Sequence, residues 1–194
     1  MKIKTIIISV LFLMLSNIAK SEFIDPVLFL KNIIEECKPI LAKKNDDFIE
    51  KKITEYIDFN EMSIWIVGKS IWLNTKEDKK KEFIYELKKL ITKTYTKTVY
   101  YYIDTDVNFN VPKNQNFKTA GSNKRIQLYS TMKKNNTIVN IDYRLIKHEN
   151  SWLVYDIIIE GVSILKSFKI QFHEIIKSKG IDVIIEKMAE INKS

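Results

Sequence analysis

The hydrophobic period of the chain changes partway through the stretch "VYDIIIEGVSILKSFKIQF", residues 154 to 172. Up to Glu160 nearly every residue is apolar and many are β-branched, which is typical of a strand buried on both faces. After Gly161 the apolar residues recur at three- and four-residue steps, as on one face of a helix; they are Val162, Leu165, Phe168, Phe172 and Ile176. The pattern predicts a strand that turns at Gly161 directly into a helix.

The N-terminal half is patterned as helix. Apolar spacing predicts a helical region from about Pro26 to Leu73. A strongly amphipathic helix is predicted over Lys76 to Tyr95, and its inward face consists of Phe83, Leu87, Leu90, Ile91 and Thr94.

Strand patterns follow, at 98–111, 125–132, 137–147 and 151–160. Turn residues at "NVPKNQN", "KNNT" and "KHENS" separate them, and the last two turns predict hairpins between antiparallel neighbours. Helices at 162–178 and 182–192 close the chain, with Gly180 ending the first and Asp182 capping the second. These elements predict an α+β fold, with helices packed over one curved antiparallel β-sheet.

Residues 1–21 have the pattern of a cleavable signal peptide. "MKIK" is basic, "TIIISVLFLMLSNI" is an apolar core shorter than a membrane span, and Ala19 and Ser21 supply small residues before a cleavage site. An uncleaved anchor fits those small residues less well. We therefore expect an exported single domain at 22–194.

The chain is basic, with 32 Lys and Arg against 24 Asp and Glu and a formal charge of +8. Loss of Lys2, Lys4 and Lys20 with the signal peptide would lower this charge to +5. A basic surface can attract nucleic acid or anionic lipid. The chain lacks the interleaved aromatic and basic residues of a single-strand binder, so we expect no nucleic acid partner. Weak attraction to lipid head groups stays open, as does a lysine content without function.

The sequence is poor in catalytic groups. Cys37 lies among apolar residues at helical spacing, which favours a small buried hydrophobe over a Cys–His pair. His148 and His173 have no partner at metal-ligand spacing, so we expect no metal and two solvated histidines. Asp104 and Asp106 share a strand face, where a solvated outer surface is favoured over paired catalytic carboxylates. The tyrosines and tryptophans can fill a core or line a pocket, and hydrophobic period alone does not distinguish the two.

The segment "WLVYDIIIEGVSILKSFKIQF" resembles the hallmark of the periplasmic phospholipid-binding shuttle of the Mla system (maintenance of outer-membrane lipid asymmetry), also described as the toluene-tolerance auxiliary component. The matching positions are Trp152, Val154, Tyr155, Asp156, Glu160, Gly161, Val162, Ser163, Phe168, Lys169, Gln171 and Phe172. Phe168 and Lys169 stand where Tyr and Arg are usual. The segments "DFNEMSIWIVGKSIW", "EFIYELKKLITKTYTKTV" and "VNIDYRL" resemble three further family motifs in the same order.

The resemblance implies a binding protein and not an enzyme. Members of this family hold a phospholipid by its acyl tails and carry it through the periplasm. Their partners are an outer-membrane lipoprotein complex and an inner-membrane ABC transporter with a membrane-anchored ring subunit. The resemblance therefore implies a monomeric carrier that maintains outer-membrane lipid asymmetry, with phospholipid as its bound ligand and no cofactor.

We expect the lipid-binding wall to come from two strand faces and from the start of the following helix. The predicted residues are Tyr95, Val99, Tyr101, Ile103, Val139, Ile141, Tyr143, Ile157, Val162, Leu165 and Phe168. The alternative function is an enzyme with a hydrophobic pocket on a cone-shaped α+β fold, for which Asp142 and Asp156 are the candidate acid or base. A partner-binding protein without a ligand is the third hypothesis.

Overall fold

The computed structural model describes residues 25–42, 51–52, 54–102, 105–110, 124–149 and 151–193. The side chains of residues 40–42 and of Val99 are not part of that description. The predicted signal peptide and the predicted turn "NVPKNQN", apart from Asn110, therefore lie outside the described residues.

In the described part of the chain, helices precede and follow the strands of one sheet in sequence. The helices are α1 (Pro26–Ala42), α2 (Phe59–Val67), α3 (Lys69–Asn74), α4 (Glu77–Tyr102), α5 (Ile164–Lys179) and α6 (Ile181–Lys193). The strands are β1 (Val107–Asn110), β2 (Arg125–Lys134), β3 (Thr137–His148), β4 (Ser151–Ile159) and β5 (Val162–Ser163). None of the described helices is both long and apolar enough to span a bilayer.

Helix α4 is longer than the sequence pattern predicts, and the strand predicted at 98–111 is wrong over its first half. The helix continues to Tyr102, and β1 begins only at Val107. The run "KTVYYYID" is apolar at successive positions, so it suits either period. Packing decided the matter, because Tyr95, Thr98 and Tyr102 share one helix face toward the sheet.

The sheet is antiparallel throughout, in the order β1-β2-β3-β4-β5. Both predicted hairpins are confirmed. Asn135 and Asn136 connect β2 to β3 with φ of 50° and 63°, and these positive angles are those of a type I′ turn. The predicted α+β class is likewise confirmed.

A β-bulge in β4 lets this strand contribute side chains to two hydrophobic cores, one on each face of the sheet. Arg144 pairs with Asp156 but Leu145 pairs with Val154, so Tyr155 is the extra residue on β4. Tyr155 packs in a cluster with residues of α2, α4, α5 and α6. Trp152 and Val154 pack instead against α1 on the other face of the sheet. Strand β4 is therefore apolar on both faces because helices cover both.

The predicted turn at Gly161 is confirmed, but the chain does not pass directly into the helix, because Val162 and Ser163 first form β5 and α5 begins at Ile164. Glu160 and Gly161 have φ of 48° and 78° and form a two-residue hairpin between β4 and β5. Gly180 ends α5 as expected, at φ of 87°, and its N–H donates to the Ile176 carbonyl at 2.9 Å. Asp182 was wrongly predicted as a cap, since it lies within the first turn of α6.

Candidate functional site

An apolar cavity of about 210 Å³ lies between α1, the C-terminal part of α4 and one face of the sheet. Helix α1 contributes Ile33, Ile34 and Cys37. Helix α4 contributes Tyr95, Thr98 and Tyr102. The strands contribute Val107, Met132, Ile141, Tyr143, Ile157 and Ile159, and Thr105 and Ile164 complete the lining. We call this space the α1–sheet cavity.

The α1–sheet cavity has an uncharged lining throughout the described residues. Burial raises the pKa of the Tyr143 phenol well above its ordinary value, and burial also raises the pKa of the Cys37 thiol. Both groups are therefore neutral at physiological pH, because burial penalises their anions. The cavity suits a hydrocarbon chain and offers a charged group no partner.

A packed core closes one end of the α1–sheet cavity. Phe29 and Leu30, in the first turns of α1, pack against sheet residues beyond the cavity; these are Leu128, Leu145, Trp152 and Val154. Leu145 is completely buried there. The cavity therefore occupies the half of the sheet that contains the β2–β3 hairpin and the β4–β5 turn, which we call the hairpin end.

Four predicted site residues line this cavity: Tyr95, Ile141, Tyr143 and Ile157. Val139 is buried in the same core as α1 without lining the cavity. Val162 is 62% exposed and pairs with the cavity residue Ile159.

The other predicted site residues lie elsewhere. Leu165 and Phe168 are buried in the core formed with α2, α4 and α6. Tyr101 lies on α4 instead of on the predicted strand and is 53% exposed. The backbone of Val99 is also helical, while the Val99 side chain and the whole of Ile103 lie outside the described residues.

The contribution of α1 to the site was not predicted. Cys37 was expected to be buried, which is confirmed, yet nothing in the local pattern related it to a cavity. Ile33, Ile34 and Cys37 recur at helical spacing, so the sequence indicated an apolar face. Only tertiary packing shows that this face lies opposite β3 and β4.

The family-like segment contains a buried carboxylate that joins β4 to α5. Asp156 is 1% exposed. Its carboxylate accepts hydrogen bonds from the Arg144 guanidinium at 3.0 Å, the Ser163 hydroxyl at 2.7 Å and the Leu165 backbone N–H at 3.0 Å. Ser163 also caps α5 by accepting from the Lys166 N–H. Asp156 thus holds the first turn of α5 against β4, and each of its oxygens has a partner.

The prediction of two solvated histidines holds for His148, which is exposed although it has a carboxylate partner, and is wrong for His173. His148 Nε2 lies 2.7 Å from the carboxylate of Asp58, which also caps α2. His173 is half-buried. It lies close to Gly68, since a Cβ added at Gly68 would be 3.3 Å from the His173 imidazole ring. Sequence spacing could not find the first pair because its members are 90 residues apart. Within the described ranges, no group of three potential metal ligands occurs.

Comparison with known proteins agrees with this architecture. A structure of the phospholipid-binding protein from Ralstonia solanacearum, in complex with a phospholipid, is similar with a TM-score of 0.69 and 23% sequence identity. The likeness covers 84% of this chain and 92% of that one, and at this identity it shows a shared fold. No curated protein matches the chain. The family model described as MlaC protein matches residues 30–190, so the chain belongs to the MlaC protein family.

Proposed function

We propose that this protein is a phospholipid carrier that holds acyl tails in the α1–sheet cavity. The observation that carries the proposal is the cavity itself, whose described lining is apolar and uncharged. Membership of the MlaC family and the phospholipid bound to the Ralstonia solanacearum protein support it. The function is binding and release, with no bond made or broken.

Energetics explain why such a carrier needs an enclosed apolar site. At about 0.8 kcal/mol per methylene, two tails of about 15 methylenes would cost on the order of 24 kcal/mol to expose to water. A lipid that leaves a membrane therefore needs a site almost as dry as the bilayer. The Ile, Val, Met and Tyr side chains that the sheet and two helices direct into the cavity can provide that environment.

The α1–sheet cavity must widen to accept a whole phospholipid. Its volume of about 210 Å³ is below the range of about 300–1,000 Å³ that is usual for small-molecule sites. Helix α1 is the element whose displacement would widen it most directly. The Tyr56 hydroxyl donates to Glu36 at 2.5 Å, and Tyr56 packs edge-on against Phe29. These contacts hold α1 over the sheet, and a loaded state would have to loosen or shift them.

We further propose that the carrier works in the periplasm after removal of residues 1–21. It would exchange lipid with an outer-membrane lipoprotein complex and with an inner-membrane ABC transporter through the transporter's membrane-anchored ring subunit. The family resemblance of the sequence supports these partners. Release requires a partner that binds the open state more tightly than the closed one, because a ligand shifts an equilibrium only by such a difference.

The enzyme alternative is disfavoured by the position of its candidate groups. Asp156 has hydrogen-bond partners on both oxygens and clamps α5. Asp142 accepts from the Gln127 amide at 3.0 Å. On β3, Ile141 and Tyr143 line the cavity, so the side chain of Asp142 between them lies on the opposite face of the sheet. Asp156 pairs with Arg144, the next residue of β3 on that opposite face. Neither carboxylate can act as acid or base on a molecule inside the cavity.

Mass spectrometry of extracted lipid tests the proposal. The protein, exported and purified without detergent, is expected to contain phospholipid in stoichiometric amount. A protein devoid of lipid that also takes up none from vesicles would overturn the carrier function. Recovery of a steroid-like or aromatic metabolite in place of lipid would favour the enzyme.

A further inference from the structure

The hairpin end of the sheet exposes three large hydrophobic side chains next to the α1–sheet cavity. Tyr101 is 53% exposed, Ile138 is 60% exposed and Val162 is 62% exposed. Val162 pairs with the cavity residue Ile159. Tyr101 packs edge-on against Tyr102, which also lines the cavity. Tyr101 and Val162 therefore continue the apolar surface from the cavity to the solvent, whereas Ile138, which alternates with the cavity-side Val139, extends from the other face of the same hairpin.

Strand register places these residues on one edge of the molecule. Ile138 pairs with Lys133, and Lys134 donates to the Tyr101 carbonyl, with its ammonium 4.6 Å from the Tyr101 ring centre. Glu160 donates its backbone N–H to the Asn140 carbonyl and so ties the β4–β5 turn to the start of β3. We call this edge, from Tyr101 through 133–138 to 160–162, the rim.

In the part of the chain that the structure describes, the rim and the residues next to it carry more basic than acidic side chains. Lys133 and Lys134 flank the hairpin, and the exposed Lys97 lies one helical turn before Tyr101. Among the described residues, the acids at this edge are Asp106 and Glu160. The Glu160 carboxylate accepts a hydrogen bond from the Asn140 N–H, so it is directed into the sheet.

We propose that the rim docks directly on the surface of an anionic bilayer, with Tyr101, Ile138 and Val162 at the interface and the lysines among the head groups. The inference rests on the proposed carrier function. Exposed apolar and aromatic side chains next to lysines are suited to this interface, because the apolar parts enter the head-group region while the ammonium groups stay hydrated. Lysines near an anionic surface also strengthen binding by electrostatic attraction. Docking in this orientation places the hairpin end of the sheet, where the cavity lies, against the lipid, so a tail would enter without crossing bulk water.

Sedimentation with vesicles tests the rim. The probes are vesicles of equal parts phosphatidylethanolamine and phosphatidylglycerol, and vesicles of phosphatidylcholine alone. The wild-type protein is expected to bind the first and to bind the second much more weakly. The double variant Ile138→Ser, Val162→Ser should lose most of the binding, and Lys97→Gln with Lys133→Gln should weaken it about tenfold or more.

Matched control variants lie away from the rim. Ile170 is 69% exposed on α5, in a groove beside Arg144 and so on the opposite face of the sheet. Lys187 is exposed on α6. Ile170→Ser and Lys187→Gln are expected to bind vesicles like the wild type. All variants are checked for far-UV circular dichroism and for copurified phospholipid.

The outcomes separate this inference from the carrier function. Loss of vesicle binding in the rim variants with unchanged lipid content supports the rim. Wild-type protein that contains phospholipid but ignores both vesicles would overturn the rim while leaving the carrier function intact. Equal losses of vesicle binding in rim and control variants would also overturn it. A dimer detected by light scattering and dissociated by Ile138→Ser would overturn it too, because the rim would then be buried between two copies of the chain. A protein without any lipid would count against the carrier function instead.

Discussion

Ile141 and Leu145 lie on the same side of β3, yet their surroundings differ. Ile141 lines the α1–sheet cavity. Leu145 is completely buried against α1 and β4 in the packed part of the same face. Substitutions at these two positions can therefore distinguish a pocket wall from a packed core. The alternating pattern of apolar residues by itself does not make that distinction.

Substitution of both positions tests that difference. Ile141→Asp is expected to give a folded protein with little or no phospholipid, because the carboxylate can be hydrated in an emptied cavity. Leu145→Asp should unfold the protein, since an unpaired charge in a packed core costs several kcal/mol. Far-UV circular dichroism and lipid extraction on the same samples measure both effects. An unfolded Ile141→Asp would identify Ile141 as core, and a folded variant with full lipid content would place the pocket elsewhere.

Gly161 is needed for its backbone angle and not for space. Its φ is 78°, and an added Cβ would meet no atom within 4 Å. The sequence predicted either a positive φ or a close approach, and the structure shows the first. We expect Gly161→Val to lower the free energy of unfolding by about 1–2 kcal/mol, because a β-branched residue disfavours the left-handed region.

Thermal unfolding checks the role of Gly161. Gly161→Asn is the matched control, since Asn tolerates positive φ, and its melting temperature should stay close to that of the wild type. For a chain of this size, the Val variant should melt about 2–8 °C lower. Equal melting temperatures for Gly161→Val and the wild type would show that the turn does not require glycine.

At the scale of elements, the β4–β5–α5 unit depends on one buried carboxylate. Asp156 binds the side chain of β3 residue Arg144, the hydroxyl of Ser163 and the backbone of α5. Removal of the carboxylate leaves the Ser163 hydroxyl and the Leu165 N–H without their acceptor. The family-like Asp and Ser are thus explained by folding, even though they belong to the segment that indicated the function.

Asp156→Ala is expected to reduce the free energy of unfolding by about 2–4 kcal/mol, since several buried donors lose a charged acceptor. Asp142→Ala is the control, because Asp142 is only half-buried and accepts one bond from Gln127; its cost should be below about 1 kcal/mol. Urea unfolding followed by tryptophan fluorescence measures both. Similar losses in the two variants would contradict a special role for Asp156.

At the scale of the whole molecule, α1, α4 and the sheet enclose the cavity, and the other helices support the opposite face. Helix α1 begins at Pro26, shortly after the proposed cleavage site at Ser21. We expect the exported protein to begin at Glu22. Edman sequencing or intact mass of periplasmic material would measure this, and a protein that retains Met1 would contradict it.

The sequence by itself determined the fold class, most of the elements in their order, and the family. Hydrophobic period located the C-terminal helices and three strands to within a few residues, because local spacing follows directly from backbone geometry. Turn residues identified both hairpins, since few residues adopt the required positive φ readily. The motif around Gly161 indicated the family that the comparison with known proteins then showed.

Tertiary structure alone decided where the cavity lies. The apolar run at 98–102 suits a helix or a strand, and packing against the sheet extended α4 to Tyr102. Leu165 and Phe168 are apolar and buried, as the cavity residues are, but their side chains pack in the other core. Cys37 joins the cavity wall only because α1 packs across strands that follow it by about a hundred residues. The hydrophobic period of the sequence indicates which residues are buried. Contacts between elements that are distant in sequence decide whether those residues pack against each other or line a ligand site.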